Sequence, residues 1–521
     1  NNSGAFTNAG TLIENATGSS SISSNTGVVQ NLNGGTFTVG SGNPATTFSG
    51  QLSACCPTGN ILYVNSTATG ANNGTSWTDA YTDLQSALNS TCPGITEIWV
   101  AAGTYKPTTD ANRNLSFSLK NGVAIYGGFN GTEMQLSQRN WAANETTLSG
   151  DLNGDDAANF ANRDDNSYSV VRNNGINNTA ILNGFIIRGG NATDVGCSNF
   201  AGGGMLNNNA SPLVENCTFE DNSAIFGGGM ENGSNSQIKL LNCLFINNRG
   251  VNIYGTGGGI GFGNGSNATV TNCQFIGNSA PNGLGGAVSM AGASPVFTNC
   301  LFRDNTAANG AAVLNAEFNG ATNPRFLNCT FYGNSSSNTI NVIYGANLKM
   351  DNCIHWGNTG SLSISSNATI TATHSIIQGG FFGAGNLNTN PLFVNAAAGD
   401  FRLQACSPAI NRGSNADVPG DITTDLGGNP RFFNNGTVDM GAYEFQEAPT
   451  PLVAVCQNQT VVLNSMGQGV LNALALNNGS TGCGALAFSV NGQSSLSFSC
   501  ANAGSNNITL TVTDSRNQSA T

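Results

Sequence analysis

NCQFIGN, residues 272–278, is one of six matching segments whose spacing decides the fold. The others are NCTFEDN (216–222), NCLFINN (242–248), NCLFRDN (299–305), NCTFYGN (328–334) and NCIHWGN (352–358), with steps between their Cys residues of 26, 30, 27, 29 and 24. A second motif interleaves with them: GGGM ending at Met205 and Met230, GGGI at Ile260, GGAV at Val288 and GAAV at Val313. Each unit therefore carries at least two short strands and no helical period, and a unit that cannot bury its apolar face alone must stack on its neighbours. The reading that closes it is one coil of a parallel β-helix, with coils about 4.8 Å apart. Strand alternation puts Cys217, Cys243, Cys273, Cys300, Cys329 and Cys353 on the face of Phe219, Phe245, Phe275, Phe302 and Phe331. Five residues after each Cys comes Asn222, Asn248, Asn278, Asn305, Asn334 or Asn358, and another Asn precedes each Cys. Stacked amides at this spacing can hydrogen-bond along the column, and the glycines supply sharp corners.

Composition agrees with such a stack and excludes several function classes. Of 521 residues only 8% are charged and 39% are hydrophobic, with 69 Gly and a net charge of −12. Without a basic block, nucleic acid and anionic membrane are poor partners. No apolar run reaches the roughly 20 residues of a membrane helix, so direct membrane insertion is not expected. Fourteen Cys in an Asn/Ser/Thr/Gly-rich chain fit an exported protein. The chain opens at Asn1 inside a strand-and-turn pattern and stops just after another strand, which reads as an excerpt of a longer polypeptide.

The flanks narrow the picture. YVNSTATGANNGTSWTDAYTDLQSAL (63–88), EIWVAAGTYKP (97–107) and YGGFNGTE (126–133) look like the entry segment of large bacterial β-helix surface proteins, and the repeats resemble right-handed parallel β-helices of the pectate-lyase and polymorphic-surface-protein type. NPLFVNAAAGDFRLQACSPAINRGS (390–414) and DLGGNPRFFNNGTVDMGAYEF (425–445) are similar to the closing segment of the choice-of-anchor family. Beyond EAPTPL (447–452), a linker with two prolines, VAVCQNQTVVLN, ALAFSV, SLSFSC and NNITLTVTD alternate at strand period and resemble a hyalin-repeat, immunoglobulin-like module. The chain thus divides into an irregular β-rich segment (1–60), a β-helix (61–446) and a partial immunoglobulin-like sandwich (447–521). One helical pattern, over 77–90 with Thr75 and Ser76 as candidate caps, is expected to close the first coil. The resemblance to the C-terminal modules implies a Cys483–Cys500 disulfide.

Candidate sites are few. The Cys column lacks metal-ligand spacing, and its parallel Cβ vectors favour a free-thiol core stack over a disulfide ladder. His355 takes the Phe position of the sixth repeat, and His374 is the only other histidine. The ionisable groupings Glu220 with Asp221, Arg303 with Asp304, and Arg163 with Asp164 and Asp165 fall in turns, and none recurs on the next coil to build a groove. Asp151, Asn153 and Asp155 in DLNGDD start like a calcium loop but lack its closing Glu, so calcium is the one cofactor admitted. Trp99, Trp141 and Trp356 are expected to pack inside, leaving no sugar-stacking platform. These features point to a non-enzymatic adhesin or fibre subunit on the bacterial cell surface, contacting its own copies, other surface proteins or glycans. A polysaccharide lyase or hydrolase and a non-catalytic glycan-binding module are the alternatives.

Overall fold

The computed structural model describes residues 59–194, 200–251, 256–317, 320–365 and 367–521, and the backbone of short strands between Thr7 and Thr47. Most of the segment 1–60 therefore lies outside the described residues. From Ile61 onward the chain winds into a parallel β-helix with sheets of eleven, ten, eight and five strands. One coil reads Leu213–Glu215, Thr218–Glu220, Ser223–Ala224 and Met230–Asn232, so each NCxF motif straddles the corner between two strands and GGGM leads into another. Register is like on like: Phe219 pairs with Phe245, Phe245 with Phe275, Phe275 with Phe302, and Phe302 with Phe331. Ten steps in the eleven-stranded sheet give a stack roughly 48 Å long at about 4.8 Å per step.

The corner explains the invariant neighbours of the cysteines. Asn216, Asn242, Asn272, Asn299, Asn328 and Asn352 all adopt φ between +50° and +55°, a left-handed conformation that Asn tolerates better than other non-glycine residues. The chain thereby turns sharply and delivers each Cys inward. All six thiols are buried and free. They donate to nearby carbonyls, as Cys300 does to Thr298 at 3.3 Å, and burial raises the thiols of Cys217, Cys243, Cys329 and Cys353.

Inside the next corner the amides of Asn222, Asn248, Asn278, Asn305, Asn334 and Asn358 form a ladder. Asn278 shows its completeness: Nδ2 donates to Asn305 Oδ1 (3.1 Å) and to the Phe245 carbonyl (2.8 Å), while Oδ1 accepts from the side chain and backbone N–H of Asn248 (3.0 and 3.1 Å). Beside it the phenyl rings of Phe219, Phe245, Phe275, Phe302 and Phe331 stack with centroids 4.7–5.1 Å apart and interplanar angles of 3–9°. A second column begins at Phe297 over Phe326, whose rings meet the first column edge-on. Among the described residues no helix is long and apolar enough to cross a membrane.

The helix at the entry is shorter than its sequence pattern. It spans Leu84–Asn89 and is capped by Asp83, whose Oδ1 accepts from Ser86 N–H at 2.7 Å. Thr75 and Ser76 do not cap it, because Tyr81 is pinned as a bridge partner of Val64 and Trp77 turns toward Tyr63. Leu84, Ala87 and Leu88 are buried against the first coil.

At the other end, residues 388–445 fold back along the side of the stack. The corner amides receive them: Asn299 donates to the Thr424 carbonyl (2.7 Å), Asn328 to Asp439 (3.2 Å), and Asn352 exchanges two hydrogen bonds with Ser414 (2.7 and 3.0 Å). Arg431, fully buried, holds this segment by donating to the carbonyls of Asp439 (2.7 Å) and Gly441 (3.0 Å), with Glu444 at 3.7 Å. Burial raises the carboxyl groups there, Asp439 to about 6 and Glu444 to about 8.

The C-terminal residues form two small antiparallel sheets around Leu471, Val490, Leu510 and Val512. The expected Cys483–Cys500 disulfide is replaced by Cys406–Cys483, with Cα atoms 5.3 Å apart. Cys483 is buried at the junction with the closing segment, whereas Cys500 is exposed beside Gly467, and both Cys456 and Cys500 are free thiols. Cys92 is also disulfide-bonded.

Two predictions follow from the columns. Phe275→Ala removes a ring from the middle of a rigid stack and should cost about 3–5 kcal/mol, read from urea denaturation; an unchanged midpoint contradicts the packing. His355 ends the Phe column, 6.3 Å from Phe331, and neither ring nitrogen has a partner among the described residues. Burial pushes its pKa down to about 4, so the unfolded chain takes up the proton first. Stability should be lost as pH falls from about 6.5 toward 4, by roughly 3 kcal/mol, and His355→Phe should flatten that slope relative to the parent.

Candidate functional site

The densest charged neighbourhood is the acidic loop that leaves strand Thr146–Ser149 before the chain re-enters at Val171–Asn174. Asp151, Asp155 and Asp165 bring carboxylate oxygens within 4.8 Å of one another. The loop's own backbone answers part of this charge. Asp151 accepts from the N–H groups of Gly154 (2.5 Å), Asp155 (3.2 Å) and Asp156 (3.2 Å), and Asp165 from that of Asn153 (2.8 Å). The sequence grouped Asp151, Asn153 and Asp155; the folded loop adds Asp165 and uses the Asn153 backbone. Hard oxygen ligands of this kind suit calcium chemically, while the N–H donors are those of an Asx-type turn.

The neighbouring ionisable groups pair differently from their order in sequence. Arg163, one of the Arg163, Asp164 and Asp165 grouping, turns inward: it is buried beside Asp156 at 3.6 Å, donates to the Asp221 carbonyl, and lies 4.6 Å over the Phe160 ring. Desolvation raises Asp156 and lowers Arg163. Glu220 pairs with Arg188 on the preceding coil at 3.6 Å, not with Asp221, and burial raises its carboxyl. Arg303 and Asp304 do pair, at 2.7 Å on the surface. His374 takes the corner position with φ +46° that Asn holds in earlier coils.

One charged cluster escaped the sequence reading. Arg325 and Lys349 stack in register on adjacent coils, and both reach the buried Asp351 (3.6 and 2.8 Å), with Asp417 of the closing segment 3.7 Å from Lys349. The signal was available, since Arg325 and Lys349 each stand four residues before their Cys. These charges are spent on one another and on Thr373, which donates to Asp351 at 2.7 Å. Glu231 was missed too: its side chain lies where any side chain on Gly261 would sit, and burial lifts its carboxyl to about 8.

Tryptophans behave unevenly. Trp99 is buried, with its indole N–H on Glu97 at 2.6 Å and its ring stacked on Phe129 at 4.7 Å, and Trp356 is half-buried against the last coils. Trp141 instead is 44% exposed. The expectation that Trp141 packs inside therefore fails, because Gly128 and Gly184 leave room for its backbone to ride on the outside of the coil.

Three surface pockets have arginines in their walls and no Asp or Glu: one of about 60 Å³ at Arg412 and Arg516, one of about 530 Å³ at Arg139 and Trp141, and one of about 420 Å³ at Arg172 and Asn174. No protein-family model matches the chain, and no curated protein matches it. Among solved structures, it is similar to pectate lyase Pel9A, at 14% identity and a TM-score of 0.42 over 74% of this chain and 96% of that one. ORF18 of Geobacillus virus E2 is similar at 12% identity and a TM-score of 0.29, over 60% of each chain.

Arg163 yields a direct test. Arg163→Met removes a buried guanidinium that donates to the Asp221 carbonyl and leaves the partly buried Asp156 without its counter-charge, which should destabilise the chain by roughly 2 kcal/mol. Asp164→Asn, on an exposed residue, should stay within about 0.5 kcal/mol of the parent. Equal melts for the two variants would contradict the inward placement of Arg163.

Proposed function

We propose that this chain is part of an extracellular bacterial surface adhesin or surface fibre, acting by contact and not by catalysis. The observation that carries the reading is the coil stack, stiffened by saturated amide ladders and phenyl columns and carrying few charged side chains. Such a body spans distance and presents a sparsely charged, Asn- and Ser/Thr-rich surface, which suits hydrogen-bonded contact with copies of itself, other surface proteins or glycans. The likeness of 425–445 to choice-of-anchor closing segments, and of the C-terminal module to hyalin repeats, supports the same setting. Calcium at Asp151, Asp155 and Asp165 belongs to this proposal as a stabiliser, not a reactant.

Catalysis by a lyase or hydrolase needs convergent ionisable groups in a water-shielded cleft. Purified protein incubated with acidic and neutral polysaccharides should release no unsaturated or reducing ends, with or without calcium, while beads coated with it adhere to bacterial cells or to one another. Sugar release that disappears in the Asp164→Asn, Asp165→Asn double variant would replace the adhesin reading with an enzyme.

A further inference from the structure

We propose that Trp141 and the pocket beside it form a binding subsite for a neutral glycan. Trp141 follows the short helical turn Leu136–Gln138 on the outside of the eleven-stranded sheet. Its position is fixed from several directions. The Asn140 N–H donates to the Gly128 carbonyl at 2.8 Å, and the Asn144 side chain donates to the same carbonyl at 3.3 Å. A side chain on Gly128 would meet the Trp141 backbone at 2.7 Å, and one on Gly184 would meet Arg139 at 2.9 Å and the Trp141 Cβ at 3.3 Å, so both glycines let this segment lie close against the coil. Arg139 lies 4.9 Å over the indole and 4.9 Å over the Tyr126 ring, and its guanidinium is anchored to the Gly127 and Asn183 carbonyls and to Asn183 Oδ1 at 2.7–3.2 Å. An exposed aromatic ring held this rigidly has no part in closing the core.

The chemistry of the surroundings selects the ligand. The indole N–H groups of Trp77 and Trp99 are taken by Glu133 and Glu97, whereas that of Trp141 has no partner among the described residues. Leu136, Ser137, Arg139 and Trp141 line a shallow, solvent-open depression, of the kind on which one sugar ring can lie against an aromatic side chain. It offers a flat apolar face, an indole donor and a hydroxyl, the complement of a pyranose with one C–H face and equatorial hydroxyls. Arg139 already places a positive charge over the ring, which disfavours a cationic ligand. Three of its five N–H groups are committed to Gly127 and Asn183, and the chain's net charge of −12 repels an acidic sugar at long range. A neutral glycan is what remains. This deepens the contact reading above by naming a ligand class for it.

The test is a fluorescence titration of the whole chain with cellohexaose, mannohexaose and chitohexaose, alongside hexagalacturonate and a polyproline peptide. At least one neutral hexasaccharide should bind saturably. Trp141→Ala should weaken it roughly tenfold or more, and Trp141→Phe should weaken it less, because a ring remains to stack. Ser137→Arg, on an exposed residue away from the Trp141 packing, should block the pocket and weaken binding while leaving the melting temperature unchanged. Saturation by none of the neutral sugars, binding unaffected by both Trp141→Ala and Ser137→Arg, or tighter binding of the peptide or the acidic sugar would each overturn the proposal. Persistent bead adhesion without sugar binding would remove this subsite and leave the adhesin reading; sugar binding without bead adhesion would do the reverse.

Discussion

Everything in this molecule depends on one hydrogen-bonding fact: an asparagine amide that donates twice and accepts twice inside a corner leaves no polar group there wanting water. Buried amides are costly when half satisfied and rigid when complete. The Asn222 to Asn358 ladder is complete at every interior rung, because the coil rise of a parallel sheet equals the spacing at which amides chain. That match lets the phenyl rings superpose at nearly zero tilt and lets the coil length vary from 24 to 30 residues without disturbing the register. The extra residues are taken up between the ladder asparagine and the next glycine-led strand, or in the turn after that strand.

Electrostatics are subordinate to this packing. Among the described residues few charge pairs cross between elements: Arg188 with Glu220 and Arg325 with Asp351 span neighbouring coils, and Lys349 with Asp417 ties the closing segment to the stack. An exposed pair such as Arg188 with Glu220 contributes little to stability, whereas the buried Arg431 beside Glu444 is costly to break. The acidic loop is the exception in density, and much of its charge is answered by backbone N–H groups of its own turn.

The β-helix was legible because its signal is periodic. Cys, Phe and two Asn columns recur at fixed offsets, and alternation alone assigns them to faces. What was not legible depends on partners far apart in sequence. The Cys406–Cys483 disulfide links residues 77 positions apart, and nothing near Cys483 in the chain signals Cys406. The Asp165 contribution to the acidic loop, the inward turn of Arg163 and the Arg325, Lys349 and Asp351 cluster arise from loop closure and coil stacking. Trp141 illustrates a different limit, since hydrophobicity says that a tryptophan wants cover but only the two glycines beneath it determine that it receives half.

The fold-back of residues 388–445 has a mechanical meaning. Because Cys483 is joined to Cys406, tension applied through the C-terminal module enters the body at Cys406 and bypasses the proline-containing connector at 447–452. From there it reaches segments hydrogen-bonded to three successive coils, at Asn299, Asn328 and Asn352. The pull is therefore shared in shear across several rungs instead of peeling the last coil from its edge, and shear requires many bonds to fail together where peeling requires them to fail one at a time.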